Sequence, residues 1–508
     1  MATTMSFQKH LSAPNGRQIE LNTGLFINNE FVAGSEAPIV SINPANELEI
    51  CSVESASASD VDKAVAAARN AFKQGPWKSM TPASRGALLF KFADLIEEEA
   101  ETLATLEAWD NGKPYHSALE DDVSEVVSVL RHYAGWADKI HGHSVSKMGM
   151  ENYKFGYTLK QPIGVCAQII PWNYPLTMAA WKLGPALTCG NTVVLKPAEQ
   201  TPLSILYLAE LAVKAGFPPG VLNIVNGIGG VAGRALAEHM DVGKIAFTGS
   251  TETAKRIMKG ASANLKNITL ESGGKSPLLV FNDADVEQAA KWAHLGIMSN
   301  QGQICTASSR LLVQRGVYDE FVKNFKKVVT ETSIIGDPFT EDTFQGPQIS
   351  KAQYTSILGF IDRAIKDGAN VALGGKPFHC TATNGKGYFI SPTIFTEVKR
   401  TMEIFQEEVF GPVVVIMPFE DEDEGIELAN DSRYGLAGSV FTRDVAKAHR
   451  VAERLEAGMV WINNTIDGDV GMPFGGVKQS GIGRELGEAG LEAYCQVKSV
   501  YLNTGVNI

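Results

Sequence analysis

Five short apolar runs, at residues 165–170, 192–195, 221–225, 245–247 and 268–270, alternate with longer segments whose hydrophobic positions recur every three or four residues. The runs lack apolar–polar alternation, so they read as strands buried on both faces. The segments between them, at 177–188, 202–215, 230–239 and 251–260, read as helices. Strand–helix alternation of this kind predicts an α/β fold with a doubly wound parallel sheet. A second α/β region is predicted from residue 283 to about 472, with strands near 309–313, 389–390, 413–417, 437–441 and 458–462.

The flanks carry a different pattern. Short strands are predicted at 26–32, interrupted at Asn29-Glu30, and at 40–42. Ser59 or Asp60 is placed to cap a helix with Val61, Ala64, Val65, Ala68 and Phe72 on one face, stopped at Gly75-Pro76. Thr81-Pro82 opens the next helix and Asn111-Gly112-Lys113-Pro114 closes it; a third spans about 117–140. These helices read as scaffold without chemistry. Residues 148–163, with Asn152, Tyr153, Phe155, Tyr157 and Leu159, read as an exposed hairpin, and 497–502 as another strand. Residues 1–20 are polar and read as a partly disordered leader without a targeting pattern.

Length and charge narrow the classes. A chain of 508 residues needs two or three domains. A net charge of −12 argues against nucleic acid or an anionic membrane as partner. No apolar run reaches the roughly 18–20 residues of a membrane span. The six cysteines are scattered without paired spacing, which points to reduced thiols rather than a disulfide framework or zinc site, and to the cytoplasm. His141 and His143 are the close histidine pair and read as a solvated loop, so no metal is expected.

Ligands of doubly wound sheets bind beyond the carboxyl ends of the strands. The residues there are Pro171-Trp172-Asn173-Tyr174-Pro175, then Lys196-Pro197-Ala198-Glu199, a glycine run from Gly227 to Gly233, Thr248-Gly249-Ser250, and Glu271. The glycine run has GxGxxxG spacing, which fits either a nucleotide turn or a plain strand-to-helix turn. Gly249-Ser250 opens a helix, whose free N–H groups suit an anion. Glu199 stands where dinucleotide folds place an acid for ribose hydroxyls, and it would repel a 2′-phosphate, favouring NAD over NADP. Lys196 beside it is a second candidate, and a solvated loop pair is the alternative for both.

Cys305 follows the helix-like run 285–300 within Gln301-Gly302-Gln303-Ile304-Cys305-Thr306-Ala307. Taken alone it reads as either an inert buried thiol or a nucleophile whose pKa backbone dipoles lower. Glu271, ahead of Gly273-Gly274, supplies a carboxylate to pair with it as a general base.

Two stretches carry a family resemblance. Leu270-Glu271-Ser272-Gly273-Gly274-Lys275-Ser276-Pro277 resembles the glutamate signature of the aldehyde dehydrogenases, and Gly302-Gln303-Ile304-Cys305-Thr306-Ala307 their cysteine signature. Glu407-Glu408-Val409-Phe410-Gly411-Pro412 resembles their cofactor loop, and Pro473-Phe474-Gly475-Gly476-Val477-Lys478-Gln479-Ser480-Gly481 the loop near the substrate. The likeness runs from about Gly24 to Tyr501, to the non-acylating, NAD-dependent branch related to the acetaldehyde, retinal and betaine-aldehyde enzymes. It implies an NAD-binding domain at 1–147 and 164–270, a catalytic domain at 271–480, and an oligomerisation arm at 148–163 and 481–508. A homodimer or homotetramer acting on a small-molecule aldehyde follows from it.

The implied roles are specific. Cys305 is the nucleophile, Asn173 with the Cys305 N–H the oxyanion hole, Glu271 the base, and Lys182 and Glu485 a proton relay. Ile169, Pro171, Trp172, Lys196, Glu199, Gly229, Gly233, Phe247, Gly249, Ser250, Glu408 and Phe410 hold NAD. Tyr174, Met178, Trp181, Ile304 and Phe474 line the substrate tunnel. Met298, Ser299 and Gly468 depart from the family's larger residues, and Ala254 from a glycine, so the tunnel is expected to be apolar, uncrowded and open to medium or bulky aldehydes. A CoA-acylating enzyme would lack Glu271. A thiol hydrolase would need a histidine base, which no matched motif contains, and a catalytically inert scaffold would be expected to have lost Cys305, Glu271 or Asn173.

Overall fold

The computed structural model describes residues 7–148 and 154–504; the tip of the predicted hairpin, with Asn152 and Tyr153, lies outside the described residues. The five predicted strands are Val165–Ile169, Thr192–Lys196, Leu222–Ile224, Lys244–Gly249 and Asn267–Ser272, and they pair in parallel. Every residue of the first two is buried, because helices cover both faces. Val165–Ile169 lies between Lys244–Gly249 and Thr192–Lys196. Successive connections therefore leave it in opposite directions, which opens a crevice at its carboxyl end. Leu25–Ile27, Glu30–Val32 and, at the opposite edge, Gly481–Ile482 add antiparallel strands to give eight.

The second region is a seven-stranded sheet in the order Asn370–Leu373, Thr393–Thr396, Val413–Phe419, Arg310–Gln314, Pro277–Val280, Ala437–Phe441, Met459–Ile462. Its interior strand Pro277–Val280 is absent from the sequence reading; its four apolar residues directly follow the glutamate motif. The strand expected at 389–390 is a single bridge between Ile390 and Pro377. A three-stranded antiparallel sheet joins Ser144–Met148, Lys154–Pro162 and Cys495–Asn503, and leaves Val145, Tyr157, Leu159, Val497, Tyr501 and Leu502 exposed. Among the described residues no helix is long and apolar enough to cross a membrane.

Local chemistry corrects several expectations. Residues 8–22 are not a leader: Gln8–Ser12 and Gln18–Asn22 form a hairpin that buries Leu11, Ile19 and Leu21, an alternation hidden by the polar partners between them. The first helix, Ala58–Lys73, is capped by Ser57, not Ser59 or Asp60. Asp60 is the reciprocal partner of that capping box, accepting from the Ser57 N–H at 3.0 Å. The predicted second helix is two, Pro82–Glu98 and Ala100–Asn111, broken at Glu99.

Candidate active site

The glycines of the matched motifs are spaces into which other motifs fit. A Cβ on Gly273 would fall 2.0 Å from a Glu408 carboxylate oxygen, and one on Gly274 2.6 Å from the Cys305 carbonyl. The Gly274 N–H donates to Glu408 Oε1 at 3.0 Å. Gly302, at φ +73°, lies against Gly411, where a Cβ would fall 2.0 Å from the carbonyl oxygen. Ser480 of the C-terminal loop donates from Oγ to the Gly273 carbonyl at 2.7 Å. Four stretches spread over some 200 residues thus pack as one unit, and only glycine fits at the contacts.

Cys305 stands at the end of that unit. The helix before it is Val286–Met298, and a turn at Ser299–Gly302 then places Asn300 and Gln301 in the left-handed region. Such conformations cost on the order of 1–3 kcal/mol each and need support. Gln301 Nε2 donates to the Gly112 carbonyl at 2.9 Å, and Asn300 Nδ2 to the Asn173 carbonyl at 3.0 Å. Asn111 Nδ2 in turn donates to the Trp172 carbonyl at 2.6 Å. Asn111 and Gly112 were read only as a helix stop, so the helical scaffold does shape the site.

Glu271 is the last residue but one of its strand, with its carboxyl buried toward the Cys305 thiol and the Thr248 hydroxyl. Among the described residues no atom completes a well-aligned hydrogen bond to either carboxyl oxygen. Burial, reinforced by the Glu485 charge, pushes its pKa up to about 8. The Cys305 thiol is also pushed above its ordinary value, by burial and then by the charges of Glu271 and Glu408. The thiol pKa is therefore raised, where backbone dipoles were expected to lower it; a Thr306 N–H does favour the thiolate, but burial outweighs it.

Lys182, fully buried, donates from Nζ to Thr248 Oγ1 at 2.7 Å and pairs with Glu485 Oε1 at 2.8 Å. Thr248 links this pair to Glu271, and sequence reading assigned it no part. Asn173 Nδ2 donates to the Gln303 carbonyl at 2.9 Å, which fixes the amide beside the cysteine loop and leaves its second N–H.

These groups meet in a cavity of about 1510 Å³. Its walls include Pro171, Trp172, Gly249, Ser250, Glu408 and Phe410. Trp172 and Phe410 meet edge to face with centroids 5.3 Å apart. Ile169, Lys196, Glu199, Gly229, Gly233 and Phe247 lie outside this cavity wall. They gather along the carboxyl edge of the sheet, where the Gly229 N–H donates to Glu199 Oε1 at 2.5 Å. Lys196 Nζ donates to the carbonyls of Pro197 and Gly227, each at 2.7 Å, and burial lowers its pKa. The glycine run is a π-turn, Gly229–Gly233, leading into Arg234–Glu238. Its tight contact is Gly227, where a Cβ would fall 2.7 Å from that of Ala232; Gly230 faces open space with Ile228 and Val231 exposed beside it.

All five predicted tunnel residues, Tyr174, Met178, Trp181, Ile304 and Phe474, line the same cavity. Trp181 and Phe474 meet edge to face at 4.7 Å. Ser299 and Gly468 line the cavity, and a Cβ on Gly468 would touch nothing within 4 Å. Met298 instead points into the core and is fully buried. The wall is not simply apolar: Asp121, Asp122, Glu125, Asp467 and Asp469 also line it. The segment Ala118–Val123 is a π-helix, whose wider turn brings Asp121 and Asp122 onto the same wall as Glu125. Asp122 pairs with buried Lys113, while burial pushes Glu125, which accepts from Trp181 Nε1 at 2.8 Å, up to about 7. Acids at 121, 122 and 125 on one helical stretch were the sequence signal for this wall.

A parallel sheet with a switch-point crevice, beside a cavity lined by a half-buried cysteine and a buried glutamate, is the architecture of a nucleotide-binding α/β enzyme. The Aldehyde dehydrogenase family model matches residues 31–500. An aldehyde dehydrogenase of Emericella nidulans is 52% identical over 484 residues, covering 95% of both chains. An "Aldehyde dehydrogenase [NAD(P)+] 1" of Saccharomyces cerevisiae is 49% identical over 489 residues, covering 95% of this chain and 96% of that one. The NAD+ complex of an aldehyde dehydrogenase from Bacillus cereus superposes with a TM-score of 0.92 at 48% identity, over 95% of this chain and 97% of the other. The chain belongs to the aldehyde dehydrogenase family and is an NAD-dependent aldehyde dehydrogenase.

Proposed function

We propose that the protein oxidises a medium or bulky aldehyde to the carboxylic acid through a thioester on Cys305. The observation that carries this reading is that half-buried Cys305 and buried Glu271 and Asn173 line the same cavity. Cys305 Sγ attacks the aldehyde carbon, and Glu271, as carboxylate, takes up the thiol proton. The free N–H of Asn173, with the Cys305 N–H, receives the oxyanion; one such donor is typically worth about 3–4 kcal/mol of barrier. NAD bound beyond the strand ends supplies the acceptor for the hydride that leaves the thiohemiacetal carbon. Glu271 passes that first proton along Thr248, Lys182 and Glu485; as carboxylate again, it draws a proton from the water that attacks the thioester, and the Cys305 thiolate leaves as the acid is released.

The crevice fits a dinucleotide. Lys196 has used two of its three donors, and the third, with Glu199, would hold ribose hydroxyls. Gly229, Gly233, Ile169 and Phe247 would form the adenosine side, and Pro171, Trp172, Gly249, Ser250, Glu408 and Phe410 the approach to Cys305. Glu199 disfavours the 2′-phosphate of NADP, so Glu199→Ser is expected to lower the NAD:NADP ratio of kcat/KM by roughly tenfold, the scale of one exposed charge interaction of about 1 kcal/mol. An unchanged ratio would remove Glu199 from this role. We also place domain limits at 1–147 and 164–270, 271–480, and 148–163 with 481–508. The exposed apolar residues of the three-stranded sheet support a homodimer or homotetramer, and the six free thiols support a cytoplasmic setting.

The function is tested by following NADH absorbance with NAD and an aldehyde panel; absence of turnover with every aldehyde would reject it. The panel also tests the acidic wall. Asp121, Asp122 and Glu125 face one ammonium, Lys113, so an aldehyde with a carboxylate tail is expected to react at least about tenfold less efficiently than its neutral isostere. Equal efficiencies, or a strong preference for acetaldehyde over longer chains, would contradict the tunnel described here.

A further inference from the structure

Two cysteines outside the reaction centre meet although they lie 306 residues apart in sequence. Cys189 is the C-terminal cap of the helix Pro175–Thr188, which carries Met178, Trp181 and Lys182 at its other positions. Cys495 opens the strand Cys495–Asn503 of the three-stranded sheet. Their Sγ atoms are 3.2 Å apart. We propose that Cys189 and Cys495 form a reversible disulfide site, oxidised by hydroperoxides, that ties the C-terminal strand to the end of the active-site helix.

The surroundings hold the two sulfurs together and give them different jobs. Asn191 Nδ2 donates to the Tyr494 carbonyl at 2.9 Å, tying the two segments together two residues after Cys189 and one before Cys495. Cys189 is buried, with Sγ 3.6 Å from the Leu491 carbonyl, whereas Cys495 is half-buried and reachable by a small oxidant. The charged groups acting on Cys495 are Arg85, Lys160 and Glu492. Arg85 is anchored by donating to the carbonyls of Met80 and Thr188, and Lys160 pairs with Glu492 at 3.6 Å. A shared proton with Cys189 lowers the Cys495 pKa, and the two cations add to that effect. Cys495 is therefore the attacking thiolate and Cys189 the resolving thiol.

The chemistry closes without a further reagent. Cys495 thiolate attacks the terminal oxygen of a hydroperoxide; the O–O bond breaks, an alcohol or water leaves, and Cys495 becomes a sulfenic acid. Cys189 sulfur then attacks that sulfur, the S–O bond breaks, and hydroxide leaves with the Cys189 proton as water. Two thiols are oxidised by two electrons and one peroxide is reduced by two. A dithiol reductant reverses the bond by exchange.

The test is a peptide mass map of the full chain after mild hydroperoxide treatment and alkylation under denaturing conditions. It is run on the wild type and on Cys305→Ala, which removes the reaction-centre thiol as a competing site. The expected result in both is a Cys189–Cys495 linked peptide, lighter by two hydrogens than its separate parts and released by dithiothreitol. Cys495→Ser, a conservative change at a half-buried position, is expected to abolish the link and leave Cys189 alkylatable. Three results would overturn the proposal: unchanged alkylation of both thiols, Cys495 carried to a sulfinic acid with no link formed, or a link joining Cys495 of two copies.

Discussion

Cys305→Ala is expected to reduce NADH formation by roughly 10⁴-fold or more, the scale seen when a covalent nucleophile is removed. Without the sulfur no thiohemiacetal forms, so no carbon bears a hydride that can leave. The substitution removes one sulfur from a half-exposed position and leaves the glycine contacts that build the site. Folding and cofactor binding should therefore survive, which is checked by NAD-dependent change in tryptophan fluorescence, since Trp172 lines the cavity. A variant that binds NAD and does not turn over assigns Cys305 to the chemistry. Retained turnover would remove the covalent route altogether.

Glu271→Gln is expected to separate the two halves of the reaction. The glutamine cannot take a proton from water, so hydrolysis of the thioester slows by about 10²–10⁴-fold. The signature is a rapid burst approaching one NADH per active site, followed by a slow steady state, with the acyl group found on the Cys305 peptide. In the wild type the Glu271 carboxyl is fully ionised only above its raised pKa of about 8. Where hydrolysis limits turnover, the rate should rise with pH and level off beyond that value, and Glu271→Gln should lose this rise.

The same substitution has the opposite effect on stability. Folding raises the Glu271 pKa from the ordinary 4.5 to about 8. Between those values the folded chain holds a proton that the unfolded chain has lost, so this group's contribution falls as pH rises. Above the folded pKa the wild type carries a buried, poorly partnered carboxylate that glutamine does not. Glu271→Gln should be the more stable protein at pH 9, by on the order of 3 kcal/mol, and the gap should shrink toward pH 5. Unfolding midpoints at both pH values measure it; a gap that does not change with pH would mean the carboxyl is not desolvated as described.

How much of this was legible beforehand varies with the physics of each feature. The five strands and four helices around the crevice follow from burial on both faces, a property written residue by residue in the chain, and their ends fell within two residues of prediction, counting the π-turn Gly229–Gly233 with the helix Arg234–Glu238. Capping was misread at Ser57 because two serines and an aspartate crowd one turn, and only the backbone direction decides which side chain folds back. The hairpin at residues 8–22 was missed because a polar strand is recognised by the partner it buries against, not by its own content.

For the site, residue types and strand ends nominated Cys305, Glu271 and the strand-end residues, with an inert thiol and plain turns as alternatives; the motif resemblance gave them roles. Nothing local connects Thr248 with Lys182 and Glu485, Asn111 with Trp172, or Cys189 with Cys495, since each contact joins segments about 60 to 300 residues apart. The state of the thiol was likewise invisible. Its pKa depends on how much water and charge surround it, and burial opposed the dipole effect that local sequence suggested. The chain's order of apolar and polar residues determined its class, its parallel sheet and the cast of reactive groups. Tertiary packing alone decided which groups touch, which carboxyls face the cavity and which protons they keep, because desolvation and Coulomb energies depend on distance in space rather than along the chain.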